Sequence, residues 1–163
     1  MPTDAFLTIA EIAVTLAGFT GIILIFRSNR GSGFEENIRV FNVFVTCFLI
    51  IVTALLPGTL NEFNLSDELV WGIPYVLIGL CSIGLSLYTA LSSRRGLFKP
   101  IFPKITVFFA VFWPVWGFGL LLYGIGIFGA PGAALLLLTH ILLLAFAGYL
   151  FGSTLIWARS TDT

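Results

Sequence analysis

The sequence predicts an all-α, polytopic integral membrane protein: one domain, residues 1–163, folded as a bundle of five transmembrane helices. Three observations lead there. Hydrophobic residues make up 58% of the chain and charged residues only 10%, where a soluble domain carries about a quarter charged residues. Five apolar runs alternate with short polar joints, and each is near the roughly 20 residues that a helix needs to cross a bilayer. All 8 Lys and Arg then fall on one side: Arg27, Arg30 and Arg39 after the first run, Arg94, Arg95, Lys99 and Lys104 after the third, Arg159 after the fifth. Cytoplasmic joints carry such an excess. The N-terminus is therefore expected outside and the C-terminus in the cytoplasm, in a plasma membrane or a bacterial inner membrane.

Span one is expected over about residues 6–26, apolar except for Thr8, Glu11, Thr15 and Thr20. It reads as a retained helix rather than a cleaved signal, because no basic region precedes it and the run is too long. Gly31-Ser32-Gly33 loosens the next joint. Ser32 with Glu35 three residues on has the capping-box pattern, so the second helix should start near Gly33. Span two is expected over 40–60, with Pro57-Gly58 near its outer end. After the acidic joint 61–68, span three should cover 69–91, with Trp71 at its interfacial edge and Pro74 in its first turns. Pro100 and Pro103 suit an extended basic connector. Span four is expected over 105–128, kinked at Pro114 between Trp113 and Trp116. A tight uncharged turn, Gly129-Ala130-Pro131-Gly132, leads to span five over 133–158.

Glu11 is the sharpest chemical signal. An ionisable side chain within a span costs on the order of 3 kcal/mol if left charged in lipid, so it belongs against a partner or in a cavity. Thr8, Thr15 and Gly18 share its helical face, while Ala10, Ala13, Ala17 and Gly21 form a neighbouring small-residue face suited to close packing. His140, the only histidine, also lies within a span. At ~1.5 Å per residue, Glu11 lies about 8 Å and His140 about 12 Å below the outer ends of their spans, with Thr53, Tyr75 and Tyr123 at about 8–10 Å. These residues define an expected polar layer in the outer half of the membrane, in which Glu11 and His140 are candidates to pair and titrate together. Asn42, Thr46, Thr53 and Pro57 make a second polar stripe on span two, either lining a path or bonding neighbouring helices. Asp4, Glu62, Asp67 and Glu68 should form an outer acidic vestibule.

The function these features suggest is a small homo-oligomeric channel for cations or protons, since five helices with short joints leave little room for a path within one copy. A non-catalytic accessory or scaffold subunit is the alternative, and a small proton-coupled transporter a third, although no internal repeat of the kind carriers show is present. Enzymatic activity is not expected, because no nucleophile–base spacing or phosphate loop occurs. No metal motif and no cofactor motif is found, and Cys47 and Cys81 read as small residues within spans. No basic stripe remains for nucleic acid once the topological charges are assigned. The expected partners are the lipid bilayer, further copies of the chain, and ions or protons.

Overall fold

The computed structural model describes residues 2–28, 34–94 and 103–160. Gly31–Gly33, the Ser32–Glu35 cap, Pro100 and the basic side chains Arg27, Arg30, Arg39, Arg94, Arg95, Lys99, Lys104 and Arg159 lie outside the described residues. Five helices follow one another: α1 (Pro2–Ser28), α2 (Phe34–Glu62), α3 (Asp67–Arg94), α4 (Pro103–Gly124) and α5 (Ala133–Ser160), with no strand among the described residues. Four of them carry stretches long and apolar enough to cross a membrane: Asp4–Ile23, Val40–Glu62, Asp67–Ser92 and Ala133–Ser153. The described apolar stretch of α4, Val111–Gly124, is shorter. Large apolar side chains cover the outside of the bundle, among them Leu7, Phe19, Phe48, Leu80, Val115 and Ile141.

The fourth helix ends four residues before the position expected for its span, at Gly124 rather than 128. The cause is local. Gly126 adopts a left-handed backbone (φ 82°), Gly126 N–H donates to Tyr123 O and Ile127 N–H donates to Leu122 O. This pair of bonds is the Schellman arrangement, which closes a helix and satisfies its last carbonyls. α2 ends differently, on single-turn bonds from Phe63 to Leu60 and from Asn64 to Asn61, with Asn64 itself left-handed (φ 54°). Ser66 then accepts the first bonds of α3, from Leu69 and Val70. α4 continues through Pro114 as one helix.

Successive helices run antiparallel, so the start of α1, the α2–α3 joint and the α4–α5 joint share one end, hereafter the short-loop end. Phe6 near the start of α1 lies on Trp71 of α3 and His140 of α5, which ties these starts together. α2 is the central element and packs against α1, α3 and α5. α4 is held chiefly by α3, with Trp113 touching Phe146 of α5 at 5.1 Å between ring centroids. The core runs along the axis of α2 and includes Val43, Cys47, Ile50, Ile78 and Leu136, all fully buried.

The α3–α4 contact is the closest in the bundle, and glycine makes it so. Gly72 stands opposite Gly124, and Gly79 opposite Gly117. A Cβ built on Gly79 would lie 2.6 Å from Gly117 O, and one on Gly72 would lie 2.6 Å from Gly124 O. The reverse pairs give 2.9 Å. No real side chain carbon fits at such distances, so only glycine permits this backbone approach.

Candidate functional site

The polar centre of the bundle is His140, fully buried at the contact of α2 and α5. Helical spacing turns the α1 residues Phe6, Ile9, Ala10, Ala13 and Thr20 inward, and Phe6 reaches the imidazole edge-to-face at 5.6 Å and 77°. Leu136 O lies 2.7 Å from Nδ1. A carbonyl only accepts, so Nδ1 carries a hydrogen and donates it. Nε2 lies 2.9 Å from Thr53 Oγ1 of α2. Thr53 Oγ1 is also 2.6 Å from Leu49 O one turn back in its own helix. Of the residues singled out from sequence, the fold therefore joins Thr53 and His140 directly.

Tyr75 and Tyr123 form a second group, in ring contact at 5.0 Å and 84°. Their hydroxyls donate to the backbone of the α4–α5 turn: Tyr75 to Gly132 O, and Tyr123 to Ala130 O at 3.1 Å. The backbone N–H of Leu136, in the first turns of α5, also faces the Tyr75 hydroxyl, while the carbonyl of the same residue faces His140. Four of the five residues of the expected polar layer thus lie in one packed region near the short-loop end.

Glu11 and Thr15 are not part of it. Both are exposed on the outside of α1 together with Thr8 and Gly18, facing away from the bundle. Glu11 and His140 are consequently not brought together. The stripe that α1 buries begins at Phe6, and Glu11 lies off that stripe. No described residue hydrogen-bonds or ion-pairs with the Glu11 carboxyl group, while its backbone oxygen accepts from Thr15 Oγ1 at 2.9 Å. The acids Asp4, Glu62, Asp67 and Glu68 are all exposed at the short-loop end.

On α2, Asn42 and Thr46 are buried in line with Thr53. Thr46 satisfies itself by donating to Asn42 O at 2.8 Å. The same bond to the carbonyl four residues back recurs at Thr8, Thr20, Thr59, Thr89 and Thr139. Most threonines here are therefore neutral in hydrogen bonding and bond no neighbouring helix. Thr53 differs, because it has a second partner across the helix contact. Asn42 Oδ1 is buried with no hydrogen-bond partner among the described residues.

Sequence reasoning missed Phe6, whose ring forms the α1 wall of the histidine site, and missed the role of Gly132 and Ala130 as acceptors. No group of three His, Cys, Asp or Glu among the described residues is arranged to hold a metal ion. In comparison with known proteins, the chain matches no family model, no curated protein and no solved structure.

Proposed function

We propose that the chain is a five-span membrane protein that works as a homo-oligomeric channel for cations or protons, with its path built between copies along the α1 face that carries Glu11 and Thr15. The observation that carries this reading is the exposure of Glu11, the one charged residue between Asp4 and Arg27 in α1, on the outside of that helix. In a bilayer an ionisable group belongs in a protein contact or a water-filled cavity, with on the order of 3 kcal/mol at stake at a helix centre. Thr53, Tyr75 and His140 are fully buried and hydrogen-bonded, and α1 sends Ala10 and Ala13 inward rather than its polar face. Several copies arranged about an axis would bring their Glu11 side chains to a common cavity. The exposed acids at the short-loop end would gather cations at its mouth. With the basic joints in the cytoplasm, that mouth faces outward.

The test is ion flux through purified protein in liposomes, alongside particle mass in detergent. A discrete oligomer is expected, with cation-selective flux whose selectivity or pH dependence changes in Glu11→Gln. A monomeric particle, or flux identical in Glu11→Gln, overturns the reading. One feature favours an accessory subunit instead: an apolar groove of about 590 Å³ between α4 and α5, lined by Phe108, Phe112, Trp116, Gly119 and Leu135, offers a seat for another membrane helix. A monomer that co-purifies in fixed ratio with one other protein would select that reading.

A further inference from the structure

We propose that His140 is a proton-binding site within the bundle, and that the Thr53 hydroxyl reverses its hydrogen bond when the proton arrives. Nδ1 faces Leu136 O at 2.7 Å, an acceptor only, so it bears hydrogen in every state. Thr53 Oγ1 stands among Nε2 at 2.9 Å, Leu49 O at 2.6 Å and, more distantly, Ile50 O at 3.5 Å, and has one proton to give. With Nε2 bare, the hydroxyl donates to the imidazole. With Nε2 protonated, the imidazole donates to Thr53 Oγ1, and the hydroxyl turns to Leu49 O, the carbonyl four residues back, as in most other threonines of the described chain. A single N–H bond forms from the Nε2 lone pair and a proton of hydronium, whose O–H bond breaks to leave water. All heavy atoms keep their places. A buried cation requires an acceptor for each N–H, and this site supplies both.

The surroundings decide what else can answer the proton. α1 presents Phe6, α2 presents Thr53, and α3 presents Tyr75 beside the Leu136 N–H. α5 adds Thr139, which is engaged with Leu135 O, and α4 reaches the region through Tyr123 on Tyr75. The titratable groups facing the site are thus Tyr75 and, behind it, Tyr123. None of the described side chains in contact with His140 is an acid or a base that could hold the charge in its stead.

Access is one-sided. Toward the exposed α4–α5 turn lie Tyr123 and Tyr75, whose rings touch and whose hydroxyls donate to Ala130 O and Gly132 O, with Gly132 one helical turn before Leu136. In the other direction, the fully buried Ile50 and Cys47 separate Thr53 from Thr46. The polar groups near His140 thus lie toward the short-loop end, and in this proposal the proton enters from there, so the site senses that side rather than conducting. Phe6 transmits its charge state to α1, the helix that carries Glu11. That last link rests on the channel reading; the proton site does not.

Because His140 is the only histidine, imidazole ¹⁵N labelling of the full chain gives one pair of ring signals. In detergent micelles at alkaline pH, the hydrogen is expected on Nδ1 alone. On acidification a second N–H should form reversibly, with helicity and particle size unchanged. Thr53→Val keeps the shape but removes the hydroxyl, and should lose this reversible uptake over the pH range in which the fold persists. Thr53→Ser should retain it. Hydrogen on Nε2 alone at alkaline pH, a second proton gained only on unfolding, or parental behaviour in Thr53→Val overturns the proposal. If Thr53→Val does not fold, the parent titration and Thr53→Ser decide. None of these readouts uses ion flux, so a failure of the channel reading leaves them intact and is scored separately.

Discussion

The glycine seam between α3 and α4 makes a quantitative prediction through Gly79→Ala. The new Cβ would stand 2.6 Å from Gly117 O and 2.6 Å from Leu121 Cγ, whereas ordinary contact starts at 3.4 Å. The helices must therefore part by about 0.8 Å, because a backbone carbonyl cannot turn aside as a side chain tip would. Overpacking of this kind costs about 1–3 kcal/mol. Against it stands the helix propensity of alanine over glycine, up to about 1 kcal/mol. Gly84→Ala supplies the control. Gly84 lies in the same helix and nothing lies within 4 Å of its built Cβ. The propensity gain is common to both variants, so the difference between them isolates the seam. That difference should be about 2 kcal/mol, a change of roughly thirtyfold in the folded-to-unfolded ratio. Reversible unfolding in mixed micelles of rising SDS fraction, followed by far-UV circular dichroism, measures it. Gly79→Ala and Gly84→Ala agreeing within about 0.5 kcal/mol, the usual size of a neutral surface change, would refute the reasoning. Gly79→Ala combined with Gly117→Ala should be less than additive, since one opened seam accommodates both methyl groups.

Two further predictions concern the short-loop end and the thiols. Tyr75→Phe removes the donor to Gly132 O and should cost about 1–3 kcal/mol in the same unfolding assay, because that carbonyl stays partly buried. Tyr123→Phe should cost less, about 0.5–1.5 kcal/mol, since Ala130 is exposed and water replaces the bond. In detergent-solubilised protein, Cys81 should react with N-ethylmaleimide while Cys47 stays free until unfolding, as one is exposed and the other fully buried. Peptide mapping of the adducts reads the order, and early modification of Cys47 would contradict the packing of α2.

The number and order of helices were legible because apolar length is a strong signal that needs no tertiary information. The end of α4 was not. Apolar residues continue through Ile125, Ile127 and Phe128, and only the left-handed Gly126 stops the helix. The glycine seam was written in the chain and went unread. Gly72 and Gly79 are seven residues apart, as are Gly117 and Gly124, which is the spacing of one recurrent contact along two antiparallel helices. The site was half legible. Counting depth along each span placed Thr53, Tyr75, Tyr123 and His140 at one level, and the fold does gather them. Depth carries no azimuth, however. Whether Glu11 points in or out is decided by which stripe of α1 is more profitably buried, and both of its faces are rich in small and apolar residues. The same ambiguity hid Phe6, which read as one apolar residue among many.

α1 is where the two polar systems of the molecule meet without touching. Its inner stripe closes over His140 through Phe6, and its outer stripe carries Glu11. The inner system is complete: each imidazole nitrogen has a partner, and the nearby threonine and tyrosine hydroxyls are engaged. Nothing in it requires a second molecule. The outer system is incomplete in the isolated chain, because a carboxyl group within the Asp4–Ile23 stretch faces outward among Leu7, Ile12 and Val14. Burial in lipid without a partner would cost more than most single packing defects in such a bundle. With the polar groups around His140 satisfied from within, the exposed carboxyl group is left to act through what it meets outside. The same logic predicts an asymmetry between the two residues. Replacing His140 should disturb the fold of a single copy, whereas Glu11→Gln should leave that fold intact and alter only what several copies do together.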